Sequence, residues 1–124
     1  MEIPSGRISV EQIDQRLFQL WEEHADTVCK RVLVLEAAAE AMAVDALESE
    51  LEARSRSEAH NLNGELSTFG FTNGALICAE IEMLLSNPSR RGVSEASLLF
   101  GLVLMLRQEL DSIKTSSLIS SAVH

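Results

Sequence analysis

The sequence predicts an all-α protein, an antiparallel up-and-down four-helix bundle with an extra helical segment at its N-terminus. Three observations lead to this class. Six glycines and two prolines among 124 residues are too few for the closely spaced turns of a β-sandwich. Aromatic residues, which favour strands, make up only 4% of the chain. Apolar residues recur at steps of three and four along segments joined by short loops, which is the pattern of a helical bundle.

The first helix is predicted from a long apolar seam. Ser9 is suited to its N-cap, and Gln12 completes a capping-box pattern. A break near residues 23–26, which would separate a short helix from a main one, fits the pattern as well as one continuous helix does. The seam consists of Val10, Ile13, Leu17, Leu20, His24, Val28, Val32 or Arg31, Leu35, Ala39 and Met42.

The second helix is predicted over residues 45–69. We expect it to end there because Gly70 can take the left-handed conformation of a C-terminal cap. Its inward positions are Leu47, Leu51, Ser55, Ala59, Leu62, Leu66 and Phe69.

The third helix is predicted to have Thr72 or Asn73 as its cap, and residues 87–92, which include Pro88, form the clearest loop. The inward positions of this helix are Leu76, Ile77, Ile81, Leu84 and Leu85.

The fourth helix is predicted to start at Ser94 and to fray from Ser116 onward. We therefore expect a lead-in over residues 1–8, the bundle over 9–116, and a tail or linker over 117–124. The inward positions of the fourth helix are Leu98, Leu99, Leu102, Leu106, Leu110 and Ile113.

Composition and charge exclude several classes of function. With 19 acidic and 10 basic side chains the formal charge is −9, whereas binding to nucleic acid needs clustered lysine and arginine. The longest apolar stretch, residues 98–106, is far shorter than the roughly 20 residues of a membrane span. The N-terminus lacks the blocks of a signal peptide. Cys29 and Cys78 are predicted to be reduced core thiols, so we expect a cytoplasmic protein. We also expect a monomer.

Most signatures of catalytic and metal sites are absent from the sequence. It has no phosphate-binding loop, nucleophile elbow or His-Glu-x-x-His motif, and its histidines and cysteines lack metal-ligand spacing. We expect neither a metal nor a cofactor. The acidic pairs Glu22/Glu23 and Glu80/Glu82 are interpreted as solvated helix surface. His24 is interpreted as a packed, hydrogen-bonded residue of the apolar seam, and His124 is terminal.

His60 is different because it lies on the outer face of the second helix. At about 100° per residue, it falls some 160° from Leu62, on the side facing away from the buried stripe. The same face carries Arg56, Ser57, Asn63, Gly64 and Ser67 rather than the glutamates found elsewhere.

Gly64 is the second feature of this face. A glycine within a helix costs roughly 1 kcal/mol relative to alanine. Because helical side chains lean toward the N-terminus, position 64 covers His60. A glycine there leaves the imidazole open to a partner. The alternative, close packing of another helix on Gly64, is weakened by its position away from the buried stripe.

The stretch from Ala59 to Gly64, followed by residues 68–71 (Thr-Phe-Gly-Phe) and the apolar repeat of 81–85, resembles a histidine phosphotransfer (HPt) domain. The motif of that family is His-x-Leu-Lys-Gly, then a helix-ending glycine, then an apolar third helix. The resemblance is strongest over about residues 55–85 and extends more weakly over 9–115.

The resemblance implies a four-helix bundle whose exposed histidine carries a phosphoryl group between the aspartates of receiver domains. His60 would be the phosphorylated residue, through Nε2, and Gly64 the access glycine. Leu62 and Leu66 would hold the helix in place. The chain would be a carrier rather than an enzyme, since the receiver supplies the metal ion and the catalytic lysine. Receiver docking would use the surface around His60 on the first two helices.

One position departs from the motif of the family. Asn63 stands where the family most often has lysine, so it can donate a hydrogen bond but supplies no charge to offset a phosphoryl group. Arg56 lies on the same face, although its side chain is expected to lean away from His60.

Two alternatives to phosphotransfer remain. The first is a degenerate module of the same fold that binds proteins without relaying phosphate, with Asn63 as one sign of degeneration. The second is a homodimer formed through the apolar seam of the first helix, for which intramolecular bundle packing is the simpler explanation.

Overall fold

A computed structural model describes the backbone of residues 10–87 and 92–123, and the side chains of residues 15–87 and 92–113. It contains four α-helices, α1 (Val10–Ala43), α2 (Ser49–Thr68), α3 (Thr72–Leu85) and α4 (Val93–Val123). Helix α1 packs on α2 and α4, and α3 also packs on α2 and α4. The predicted all-α four-helix bundle is therefore confirmed. The predicted Ser9 cap, most of the 87–92 loop and His124 lie outside the described residues.

Helix α1 is continuous, so the break near residues 23–26 does not occur and the extra N-terminal segment is the first part of α1. Its seam is buried as predicted from Val28 to Met42. Nearer the N-terminus, Leu17 and Leu20 are 38% and 51% exposed, and Trp21 is buried instead. The reason is aromatic packing, because the Trp21 ring lies edge-on to Phe69 and Phe71 in the turn between α2 and α3.

Helix α2 begins four residues later than predicted. Asp45 has a φ of 53° and so lies in the left-handed region, where a helix cannot continue. The predicted end is confirmed, since Gly70 has a φ of 81° and its N–H donates to the Ser67 carbonyl. The stripe that faces the core is fully buried at Ser55, Ala59, Leu62 and Leu66.

Two predictions for α3 and α4 are wrong. The residue that precedes α3 is Phe71, and no side chain caps the helix, because packing against Trp21 places the chain there. Leu76 and Leu98, predicted to face inward, are 60% and 52% exposed. Their neighbours, among them Ile77 and Leu99, take the buried positions.

Helix α4 begins at Val93, one residue before the predicted start, and continues past Ser116 to Val123. The division between bundle and tail stays a prediction. Cys78 is buried and Cys29 is exposed, and both are free thiols, so the prediction of a core thiol is wrong for Cys29. Among the described residues no helix is long and apolar enough to cross a membrane.

Candidate functional site

His60 lies in the middle of α2 on the side away from the core. Its side chain is 71% exposed, whereas Ala59 and Leu62 on the inner side are fully buried. The orientation predicted from the helical wheel is confirmed. Two buried neighbours hold the helix against the bundle, so the imidazole stands on a rigid support.

Glu82 of α3 lies directly beside this imidazole. Its Oε2 is 3.1 Å and its Oε1 is 3.3 Å from His60 Nδ1, and its side chain is only 30% exposed. The interpretation of Glu82 as solvated helix surface is therefore wrong, and so is the expectation that the face around His60 has little negative charge. The Gly70 turn folds α3 back along α2, which brings these two residues together although 22 positions separate them.

The Glu82 contact selects one tautomer of His60. A carboxylate accepts hydrogen bonds and donates none, so Nδ1 bears the proton in this contact. In the neutral ring Nε2 then keeps its lone pair. Within the part of the chain that the structure describes, Nε2 has no hydrogen-bond partner. The result is an exposed nitrogen nucleophile on a ring whose orientation is fixed from the other edge.

Gly64 leaves open space one turn after His60. A Cβ placed on Gly64 would have nothing within 4 Å, so no helix packs closely against it in the described structure. Its carbonyl accepts a 2.9 Å hydrogen bond from Thr68 Oγ1, which holds the local helical turn. The proposed alternative reason for this glycine, close packing within the bundle, is excluded for the described residues.

The other residues predicted for this face are near the imidazole along the helix but do not contact it. Ser67 Oγ donates a long, 3.5 Å hydrogen bond to Asn63 Oδ1, which leaves the Asn63 amide group to donate. Arg56 leans toward the N-terminus, with Nη1 3.4 Å from Glu52 Oε1, as expected. Ser57 is exposed. Among the described residues, the close polar partner of His60 is Glu82.

His24 belongs to a separate polar network between α1 and α2. Its Nε2 pairs with Glu65 Oε2. Arg31 Nε lies 2.8 Å from Glu65 Oε1, and Arg31 Nη1 donates a 2.9 Å hydrogen bond to Glu58 Oε1. The Glu65 and Glu58 side chains are 17% and 18% exposed. His24 is therefore paired and partly packed, but its side chain is 37% exposed, so it is not a buried core residue.

Nothing in the described residues suggests a metal centre, since no three histidine, cysteine or acidic side chains are grouped to hold an ion. Burial, and to a lesser extent the charge of Glu65, raises the pKa of the Cys78 thiol to about 12, so this thiol is a poor nucleophile. His60, whose side chain is 71% exposed, is thus an accessible nucleophile on the outer face of α2.

Comparison with known proteins gives one match. The family model described as Hpt domain matches residues 19–116, which is most of the chain and includes both His60 and Glu82. Neither the curated proteins nor the solved structures contain a match to the chain.

Proposed function

The chain belongs to the Hpt domain family, and on this premise we propose that it is a phosphorelay intermediate that carries a phosphoryl group on His60. Membership of the family supports histidine phosphotransfer in general. The choice of His60 is our own. The observation that supports it is the exposed imidazole whose Nδ1 is held by Glu82.

The chemistry follows from that geometry. The lone pair of His60 Nε2 attacks the phosphorus of an aspartyl phosphate on a receiver domain. The N–P bond forms as the bond from phosphorus to the aspartate oxygen breaks, and the aspartate leaves as a carboxylate. The ring gains a positive charge, which the carboxylate of Glu82 stabilises through the proton on Nδ1. Attack by the aspartate of a second receiver on phosphorus breaks the N–P bond and restores the neutral imidazole.

Hpt domains are phosphocarriers rather than enzymes. We propose that the receiver supplies the catalytic machinery for transfer, as the resemblance implies. The surroundings of His60 support this proposal. Glu82 can orient the imidazole and stabilise its positive charge, but it cannot supply the positive charge of a lysine or a metal ion, which phosphoryl transfer requires.

The charge around His60 favours transfer over storage. A phosphoryl group on Nε2 would have Asn63 one turn away, and Asn63 supplies no positive charge against it. Without a nearby cation the negative charge of the phosphoryl group is not offset by the chain. We therefore expect a phosphorylated form that passes its phosphoryl group on readily and does not accumulate.

The receiver is expected to dock across α2 and α3. This surface differs from the one predicted from the sequence, on the first two helices, because the Glu82 contact brings α3 beside the imidazole. Gly64 leaves space on α2, and α3 exposes Leu76 and Met83 to 60% and 73%. An open glycine with apolar side chains nearby is suited to a modest, transient interface. The cytoplasmic location stays a prediction.

The second candidate function is protein binding without phosphotransfer. Asn63, in place of the usual lysine, favours it, because loss of that charge would be tolerated in a chain that no longer stabilises a phosphoryl group. The two functions differ in whether His60 becomes phosphorylated at all.

The test is incubation of the purified chain with a receiver domain phosphorylated on its aspartate. We expect a label on the chain that is labile in acid and stable in base, as phosphohistidine is, and that is absent from His60→Gln. His24→Gln is the matched control and should be labelled like the parent. If no receiver from the same cell labels the parent, or if His60→Gln is labelled equally, the proposal fails.

A further inference from the structure

The outer face of α4 is unusual for so acidic a protein. Residues 96–106 contain no charged side chain, although the chain as a whole has a formal charge of −9. The charges at the two ends of this stretch are engaged within the chain. Glu95 accepts a 2.9 Å hydrogen bond from the Gly92 N–H, and Arg107 donates a 2.8 Å hydrogen bond to Glu36.

This face also exposes four large apolar side chains. Leu98, Phe100, Leu104 and Met105 are each 50–57% exposed. Together they expose on the order of 350 Å², which is within the range of the largest apolar patch on a typical monomer and often marks an interaction site. We call these four residues, with Gly101 between them, the α4 patch.

The outer face of α4 offers a straight seam along which a second helix can pack. The inner seam of α4 includes Leu99, Leu102, Leu106 and Leu110, which are buried in the bundle. A second seam runs along the outside in steps of four, three, four, three and four. Such alternation is the spacing by which one helix packs along another. The outer seam consists of Ser94, Leu98, Gly101, Met105, Gln108 and Ser112.

Gly101 provides separate evidence that another backbone can pack against this face. It lies within α4, where glycine lowers helix stability relative to alanine, and a Cβ added to it would meet nothing within 4 Å. Packing within the described chain therefore does not require this glycine. A residue without a side chain at the centre of the α4 patch allows a second backbone to approach closely.

We propose that the α4 patch binds the α4 patch of a second copy, forming a weak homodimer with two-fold symmetry. Charge favours this occupant, because a charged partner would find no counter-charge on the patch. Two copies bring together the uncharged stretch formed by residues 96–106 of each chain. A seam centred on a glycine is also self-complementary, since Gly101 of each copy can face the same region of the other.

The size of the patch sets the strength of the dimer. The seam from Ser94 to Ser112 is about 27 Å long at 1.5 Å per residue. A helix pair of that length buries on the order of 400–500 Å² per copy, about half of the roughly 800 Å² of a standard interface. A groove of about 510 Å³ beside Phe100, between the end of α1 and the start of α4, adds space for a side chain of the second copy. We expect dissociation in the high micromolar range.

The dimer replaces two expectations from the sequence, the monomer and the dimer through the α1 seam. That seam is buried within the bundle from Val28 to Met42 and is not free to bind a second copy. The proposed dimer leaves His60 accessible, because α2 packs on α1 and α3 and lies diagonally across the bundle from α4. The dimer and phosphotransfer are therefore independent proposals, and either can fail without the other.

Sedimentation equilibrium of the full chain from about 10 µM to 1 mM, at low and at high salt, tests the proposal. We expect the weight-average mass to rise with concentration. Salt should strengthen the dimer, because two chains of charge −9 repel each other and salt screens that repulsion.

Three variants make the test specific. Met105→Glu should weaken association at least tenfold, whereas Met83→Glu, the same change at an exposed position of α3, should leave it unchanged. Gly101→Ala should raise the Tm of the dilute protein, because alanine favours the helix, and yet weaken the dimer. A mass that stays at one chain up to 1 mM in high salt would overturn the proposal, as would a dimer that Met105→Glu leaves intact.

Discussion

Helix α2 takes part in two histidine–glutamate pairs, one on each side. The two pairs differ in how far they are exposed to solvent and in the groups around them. On the α1 side, Glu65 pairs with His24, and the side chains are 17% and 37% exposed. On the α3 side, His60 pairs with Glu82, and the side chains are 71% and 30% exposed. The histidine is the more exposed member of both pairs, but only His60 is open over most of its ring.

The groups around each pair explain the difference. Glu65 also pairs with Arg31, which in turn binds Glu58, so the His24–Glu65 pair is part of a network that joins α1 and α2. In the His60–Glu82 pair the contact is made by Nδ1, and Nε2 of a 71% exposed side chain has no partner among the described residues. Burial and additional partners therefore make the His24–Glu65 pair structural, while exposure suits the His60–Glu82 pair to chemistry. Each prediction below tests this contrast.

The largest expected effect concerns Cys78, a buried thiol near Glu65. Because burial and Glu65 raise the pKa of Cys78 from 9.0 to about 12, at pH 8 its thiolate is roughly a thousandfold scarcer in the folded chain than in the unfolded one. Alkylation followed by mass spectrometry should label Cys29 rapidly and Cys78 only in denaturant. Equal labelling of both thiols in the folded chain would show that the Glu65 region is open to solvent.

Removing the glutamate of each pair should affect stability very differently. Glu65→Ala leaves Arg31 without one of its partners in a part-buried site, and we expect a loss of about 2–4 kcal/mol in the free energy of unfolding. Glu82→Ala removes a partner from an exposed histidine, and we expect a loss below about 1 kcal/mol. Urea unfolding followed by circular dichroism measures both. Similar losses for the two variants would remove the distinction.

Glu82 should matter for the rate of transfer rather than for folding. In Glu82→Ala the imidazole is free to rotate and to change tautomer, so we expect phosphotransfer from a receiver to slow about tenfold, or about 1.4 kcal/mol. Glu82→Gln keeps an oxygen that can accept from Nδ1 but lacks the negative charge, so it should recover part of the rate. Rapid-quench kinetics with one phosphorylated receiver measures the transfer rate to the parent and to both variants.

The outcome for the glutamine variant decides what Glu82 does. Recovery by glutamine indicates a positioning residue that acts through its hydrogen bond. If glutamine is as slow as alanine, the negative charge of Glu82 is what matters. If neither variant is slower than the parent, Glu82 has no part in the transfer.

The smallest effect is expected at Asn63. In Asn63→Lys a positive charge one turn from His60 offsets the phosphoryl charge, so the phosphorylated form should persist several-fold longer. Decay of the label in the absence of any receiver measures this lifetime, with Ser57→Lys on the same helix as the control for added charge alone. An unchanged lifetime in Asn63→Lys would show that Glu82 and solvent, not position 63, set the stability of the phosphorylated state.

The sequence predicts most of the bundle because helical periodicity is local. The buried stripe of α2, its end at Gly70 and the outward face of His60 all follow from spacing within one helix. Glu82 could not be found in that way, because its role depends on the register between α2 and α3. His60 lies ten residues before Gly70 and Glu82 twelve after it, so pairing the two helices about that turn is the signal that would have suggested the contact.

The remaining errors have a similar origin. Trp21 and Leu20 are adjacent on the apolar side of α1, and only packing against Phe69 and Phe71 decides that the indole is the buried one. The start of α2 depends on the left-handed conformation of Asp45, which aspartate adopts more readily than most residues but which its identity alone does not dictate. Both outcomes are set by tertiary contacts and turn geometry.

The most direct test of the central claim is to find the atom that carries the phosphoryl group. Nitrogen-15 NMR of the chain with labelled histidine, before and after phosphorylation by a receiver, distinguishes Nδ1 from Nε2 in each ring. We predict that free His60 has its proton on Nδ1 and that the phosphoryl group is bound to its Nε2, while His24 is unchanged. Phosphorylation at Nδ1 of His60, or at His24, would contradict it.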